Sequence, residues 1–527
     1  MDVMKKIYIF LSLLIIGISS CSDLTEEILD EKNNFDVVTD TANVEMLVTP
    51  AYVFLRDLQS RSAGWLVQET STDELVFPTR GANWNNSDYR TIFTHDYTAA
   101  NSYIKNTWNS YLIGFARCNV ALYYMHQMPQ SDEVKQYEAE VLFIRALAMF
   151  QLNDCFGQMP FREYTEYNFA NDPQYFTRSQ IVDRMISDLN EVIPVLKEKG
   201  AVPYGRITKA AAQMLLAKIY LNNQVYTGTA PAFTDGTAKW DETIALCDEI
   251  IGSGKYILAD DFWKLYLHDN AAYSNATETI LPIIYDTKTG IGGIPWVNIT
   301  LDYNQFFGTY LTSNMWNGCC TTPTFFATWD QTDPRFSDNR LKSVTGFNLG
   351  FLAGQQYNAS GTALVTKDGG RPLIFTTDFS NNNSTEEQGV RVVKYAPNPT
   401  TTSPGGSDND FQYYRIADVY LMRAEAKFRK GDVAGALTDI NELRSKRGVA
   451  TYAQADLSLE KILNERGYEF YWEHSRRNDL IRFNKYCDAR YEKPSVTPAY
   501  KILLPVPRTA YDADKNIVQN PGYPVFQ

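Results

Sequence analysis

Histidine is scarce in this chain of 527 residues: only His95, His126, His268 and His474 occur, widely spaced, with no HExxH helix and no Cys/His grouping. A zinc site or a histidine-centred catalytic site therefore has little to stand on, and no metal or cofactor is expected. There is no GxGxxG turn following a strand, no P-loop and no GxSxG elbow, which removes the nucleotide-binding and serine-hydrolase classes. Basic residues are in deficit, 49 Lys and Arg against 62 Asp and Glu for a formal net charge of −13, and no Lys/Arg-rich run appears. That balance opposes polyanions, so nucleic acid is not a partner. Cysteine is sparse as well. Cys118, Cys155, Cys247, Cys319, Cys320 and Cys487 are scattered without a CxxC pair, and a chain of this length does not need the disulfide framework of a small secreted domain. Adjacent Cys319 and Cys320 could at most form a strained vicinal bridge.

The longest notable apolar run, Ile7–Ile18, is too short to span a bilayer comfortably but has the length of a secretory core, and Lys5 and Lys6 precede it. It ends in Ile18-Ser19-Ser20-Cys21, which resembles the lipobox of bacterial lipoproteins. Residues 1–20 then read as a signal peptide and Cys21 as a lipidated mature N-terminus, since each buried methylene of an acyl chain contributes about 0.8 kcal/mol of anchoring. The polar stretch 21–34 reads as a tether.

With 44% hydrophobic residues the chain can bury a large core. Apolar residues at Val141, Leu142, Phe143, Ala146, Met149 and Phe150 recur with helical period, predicting a helix over Gln136–Asn153. Gln180–Lys197 and Thr208–Leu221 follow the same pattern, the second rich in Ala that permits close helix approach. Near the C-terminus, Arg415–Arg429 and Val433–Ser445 flank the breaker Gly431-Asp432, a helical hairpin of tetratricopeptide character. Between, residues 225–412 carry turn-rich clusters such as Ser403-Pro404-Gly405-Gly406, and long irregular segments inside a compact protein are often functional. The expected fold is mostly α, with a tetratricopeptide-like scaffold (35–224 and 413–527) carrying a loop-rich inserted lobe (225–412).

Several stretches resemble motifs of the SusD/RagB family, in order along essentially the whole mature chain. They are Glu138–Ala146 with Phe156-Gly157-Gln158-Met159-Pro160, Gly205–Ala211, Arg415–Ala426, Ala436–Arg444, Glu465–Phe470, and the tail Leu504-Pro505-Val506-Pro507 with Gln519–Tyr523. The resemblance implies a non-catalytic lipoprotein on the cell surface, anchored in the outer membrane. It would bind an oligosaccharide, possibly starch, and serve a SusC-like TonB-dependent transporter. A peptide-binding import lid, or a helical-repeat scaffold for protein partners, is the alternative.

Within that resemblance the loop 71–101 looks like the stretch lining the glycan site of the starch-binding branch. Sugar recognition needs rings for the C–H face of a pyranose and fixed polar groups for its hydroxyls. Asp73, Arg80, Trp84, Tyr97 and Asn101 supply both types, and Trp296, Trp316 and Asn317, in turn-rich sequence, offer the opposing wall. Each of the three indoles could instead plug the base of the lobe, and Asp73 and Arg80 could form an internal ion pair. Glu465 and Glu469 share a helical face, as a glycosidase pair might, but their Arg-rich surroundings favour an ion-pair network.

Overall fold

The computed structural model describes residues 40–527 apart from 166–171, 288–292, 294–295, 307–314 and 400–406. The leader 1–20, Cys21 and the tether 21–34 lie outside the described residues.

The N-terminal half is built from α1 (Val44–Asp57), α2 (Gly64–Thr70), α3 (Ser87–Thr94), α4 (Ser102–Met125), α5 (Asp132–Phe156), α6 (Arg178–Val192), α7 (Lys209–Leu221) and α8 (Trp240–Gly252). After the short α9 (Trp296–Thr300), the C-terminal half adds α10 (Ile416–Arg429), α11 (Val433–Lys446), α12 (Leu459–Phe470) and α13 (Arg476–Arg482). Helices adjacent in this order pack side by side: α4 on α5, α5 on α6, α6 on α7, α7 on α8, then α8 on α10 and α10 on α11. This is the expected mostly α, tetratricopeptide-like stack.

Helix α5 is buried over most of its length. Ser131 caps its start by accepting from Val134 N–H, Asp132 and Glu133 favour the positive end of its dipole, and Gly157 ends it at φ 65°. From Val141 to Phe156 every side chain is buried, so the helix is core on all sides. Each fully buried Leu or Phe there contributes about 1.5–3 kcal/mol. The one cation in this run, Arg145, donates to Asn119 Oδ1 at 2.8 Å and to Asp188 at 2.8 Å, as a buried charge requires. The C-terminal tail closes on the end of this helix. Leu504 N–H donates to the Cys155 carbonyl at 2.7 Å and Asn520 Nδ2 to the Phe156 carbonyl at 2.8 Å, which satisfies carbonyls that the helix end leaves open.

Two details differ from the sequence-based expectation. The predicted helix Gln180–Lys197 ends at Val192, because Pro194 has no N–H to continue the ladder. Helix α8 lies within residues read as loop-rich lobe, yet it packs between α7 and α10 as part of the scaffold, burying Thr243, Cys247 and Ile250.

Beyond α8 the chain turns to short helices and small sheets. Strand β3 (Thr279–Ile283) pairs antiparallel with β6 (Phe411–Arg415), so the chain leaves and rejoins the scaffold at one place, with Thr279 opposite Arg415. Between them β4 (Leu349–Leu352) pairs with the two-residue strand Ser337–Asp338 and with β5 (Arg391–Val393). A further hairpin of β1 (Gln158–Phe161) and β2 (Gln174–Thr177) follows α5.

Candidate functional site

Val76 and Cys320 exchange backbone hydrogen bonds, N–H to O at 2.9 and 3.0 Å, and this bridge brings loop 71–101 against the segment preceding Cys320. A cavity of about 680 Å³ opens beside it, lined from three separate stretches: Arg80–Trp84, Tyr303 with Met315–Asn317, and Lys367–Asp368 with Ser384–Glu386. The volume suits a ligand of a few sugar rings.

Local sequence explains how the ring wall is held. Arg80 and Asn83 close a tight turn through mutual N–H to O bonds at 2.9 and 3.0 Å, with Gly81 at φ 59° supplying the left-handed corner. Trp84 follows at φ 56°, a strained conformation for a bulky residue that costs about 1–3 kcal/mol and is held by its surroundings. Its indole N–H donates to the Trp316 carbonyl at 2.9 Å, and its ring packs on Phe77 at 5.2 Å. The centroids of Trp84 and Trp316 are 6.5 Å apart at 41°, and both rings are half-buried. Gly318 is required by this packing, since a Cβ there would come within 2.6 Å of the Trp84 ring.

The polar wall is rigid for a different reason. Arg80 is 5% exposed and its guanidinium donates to the carbonyls of Gly318 and Gln388, at 3.4 and 2.8 Å, and also to that of Thr385. It sutures the turn to the 384–388 loop, and burial next to Arg391 pulls its guanidinium below the usual arginine range. Asn317 is spent likewise, donating to the Glu386 carbonyl at 3.0 Å and accepting from Arg391 at 2.6 Å. Glu386 in turn accepts from the backbone N–H groups of Lys367 and Asp368. Behind Tyr303 the buried Asp302 carboxyl stands next to Glu386. Burial, with Glu386 pushing the same way and the Asn304 N–H at 2.9 Å pulling against them, raises it to about 7.

The eight residues expected at the site separate into two groups. Arg80, Trp84, Trp316 and Asn317 line the cavity; Asp73, Tyr97, Asn101 and Trp296 do not. Asp73 forms a two-point pair with Arg476, both contacts at 2.8 Å, so its ion-pair partner is Arg476 and not Arg80. Tyr97 is 1% exposed and donates to the Lys501 carbonyl at 2.6 Å, which leaves no face for a sugar. Asn101 is the N-cap of α4, its side-chain oxygen accepting from Tyr103 and Ile104 N–H. Trp296 is 3% exposed and stacks on Trp65 at 4.7 Å and 17°, with Tyr395 and Phe411 against its edges, so it plugs the base of the lobe. The cavity instead adds Asn83, Tyr303, Lys367, Asp368 and Thr385, which sequence reasoning did not single out. Asn83 Nδ2 donates to Tyr303 Oη at 3.0 Å across the gap between loop and lobe.

Glu465 and Glu469 do not have the geometry of a glycosidase pair. Glu465 and Glu469 are fully buried; Glu465 accepts from Arg335 and Arg444, and Glu469 from Arg335, Arg415 and Arg447. No water or glycosidic bond could reach between them. Cys319 and Cys320 are separate, buried thiols. Among the described residues no cluster of three or more His, Cys, Asp or Glu is placed to hold a metal. A second cavity of about 490 Å³ lies between α1 and the turn Pro203–Arg206. Three of its polar side chains are already matched: Arg206 donates at two points to Glu140, and the Tyr52 and Tyr137 hydroxyls donate to Glu140 and Glu45.

Comparison with known proteins agrees with this architecture. The SusD family model matches residues 317–523, and a model described as starch-binding associating with outer membrane matches residues 27–221. The chain is 29% identical over 431 residues to the Starch-binding protein SusD of Bacteroides thetaiotaomicron, covering 75% of this chain and 74% of that protein. A SusD superfamily protein from Parabacteroides distasonis superposes with a TM-score of 0.72 at 21% identity, over 92% of this chain and 99% of that one. Surface glycan-binding protein A from Bacteroides thetaiotaomicron, solved in complex with laminarihexaose, gives 0.69 at 20% identity over 91% and 99%.

Proposed function

The chain belongs to the SusD family, and on that premise we propose that it is a non-catalytic receptor that holds an oligosaccharide in the Trp84–Trp316 cavity outside the cell. The observation that carries this reading is the pair of half-buried indoles locked at 6.5 Å over a rigid polar wall. Such rings cover the C–H face of a pyranose without reorganising, while Asn83, Thr385 and Asp368 offer hydroxyl partners. The names of the relatives support a saccharide ligand: starch for the protein at 29% identity, laminarihexaose for one structural neighbour.

Three further parts of the proposal follow the family resemblance: a lipid anchor on Cys21, residence on the outer-membrane surface, and hand-over of the ligand to a TonB-dependent transporter. Hand-over suits modest affinity, about 1 mM to 1 μM, or roughly −4 to −8 kcal/mol. Ring stacking alone does not select one pyranose, so starch is the first member of a panel and not the whole of it. Titration calorimetry with malto- and laminari-oligosaccharides tests the site. Trp316→Ala and Trp84→Ala should each weaken binding about tenfold or more, equal to about 1.4 kcal/mol or more. Unchanged heats in both variants would place the ligand elsewhere.

A further inference from the structure

Two cations lie over rings that line the cavity, Lys367 as a lining residue itself and Arg61 beside Trp316 without lining it. Arg61, exposed in the turn between α1 and α2, holds its guanidinium 4.2 Å from the centroid of the Trp316 ring. Lys367, exposed on the facing wall, holds its ammonium 5.2 Å from the centroid of Tyr303. Among the described residues neither side chain has a carboxylate partner or donates a hydrogen bond; each lies over its ring. Their neighbours are all committed. Arg80 and Arg391 are buried and spent on carbonyls and Asn317, and Arg371 pairs with Asp368 and Glu387.

A cation held over a ring is oriented yet keeps its N–H donors free. A guanidinium in that state presents a planar fork that matches the oxygens of a carboxylate or sulfate two at a time. A neutral pyranose lying against these rings gains nothing from the neighbouring charges, whereas an acidic one gains from them. We propose that the occupant of this cavity is an anionic saccharide, carboxylated or sulfated, with Arg61 and Lys367 taking the acid group while the sugar ring lies against the indoles. The inference rests on the receptor reading above and narrows it.

The chain's overall negative charge does not contradict this. Charges further than about 8 Å are largely screened at physiological salt. At the cavity itself burial raises the Asp302 carboxyl to about 7, Asp368 and Glu387 are matched by Arg371, and Arg80 and Arg391 both reach the Glu386 carbonyl. Locally the positive groups outnumber the negative ones. The fit is therefore to a short acidic oligosaccharide, not to a long, dense polyanion.

The test is calorimetry on the whole mature protein with oligogalacturonate as the carboxylated probe, chondroitin-sulfate oligosaccharides as the sulfated probe, and maltohexaose and laminarihexaose as neutral probes. One acidic series should bind at least tenfold tighter than either neutral sugar, and which one does identifies the acid group. Its affinity should fall on raising NaCl from 50 to 300 mM. R61A and K367A should each erase most of the preference, measured as the acidic-to-neutral affinity ratio, and R61K should restore part of it. Neutral sugars binding as tightly as every acidic one, with that ratio unmoved in R61A and K367A, overturns the charge inference but leaves the receptor reading intact if W316A abolishes that binding. Absence of binding by all four probes overturns both.

Discussion

Asp302 is the residue at which the site and folding stability meet. Its ordinary value is 3.8, and burial beside Glu386 raises it to about 7 in the folded protein. Between about pH 4 and pH 7 the folded chain therefore holds a proton that the unfolded chain has released. The contribution is complete below pH 4 and is lost as pH rises through 7, on the order of 2–4 kcal/mol for a shift of this size. Arg80, Arg391, Tyr303 and Glu386 face the same group and set its environment. Asp302→Asn should make the fall in melting temperature between pH 5 and pH 8 shallower; an identical slope in the variant would show that this carboxyl does not titrate in the window. Residue by residue, the site was only partly legible. Trp84 was found through the resemblance of loop 71–101 to a glycan-lining stretch, and Trp316 because an indole in turn-rich sequence tends to be accessible, yet the second argument applied equally to Trp296, which the core claimed. Asn101 stands directly before the helix at Ser102, a capping signal that outweighs sugar binding as an explanation. Lys367 carries no local signal at all, since its place at the cavity depends on a fold-level approach of three distant stretches.

At the scale of elements, α12 is held by charge. Glu469 lies on that helix without exposure and accepts from Arg335, Arg415 and Arg447, while Glu278 also accepts from Arg415 and Arg447. Such a network costs desolvation to form, and for that reason losing one member is severe. Glu469→Ala should destabilise the protein by about 3–5 kcal/mol in urea unfolding. A loss under about 1 kcal/mol would show the arginines to be satisfied without it. The helices around this network were the most legible part of the chain. Gly431, at φ 90°, breaks α10 from α11 where the Gly-Asp pair predicted, and Asp432 caps the second helix by accepting from Gly435 N–H. Helix α8 was missed because Gly- and Thr-rich sequence precedes it and masked its Ile244, Cys247 and Ile250 spacing.

For the whole molecule, the remaining expectation concerns where the chain sits. No helix among the described residues is long and apolar enough to cross a membrane. The anchor proposed from the lipobox-like Ile18-Ser19-Ser20-Cys21 is a separate matter, and it can be tested. Mass spectrometry of the protein extracted from its native membrane should find an acylated N-terminal peptide beginning at Cys21, and Cys21→Ala should leave the protein in the aqueous fraction; an intact Met1 in the native protein would refute the anchor. The mostly α architecture was readable because helical periodicity is local, whereas the lobe's small sheets pair residues far apart and left no such trace.

The pairing of Thr279 with Arg415 has a consequence for how this protein can change. A polypeptide that departs and returns through one antiparallel clasp can be lengthened, shortened or exchanged in between while the helical frame keeps its geometry. What a replacement must preserve is definable: a backbone partner for Val76, where Cys320 now serves, carbonyls within reach of Arg80, a ring where Trp296 stacks on Trp65, and a cation where Arg335 meets Glu465 and Glu469. Ligand preference can therefore diverge by replacing the contents of the clasp, and the tailpiece that seals α5 need never register the difference.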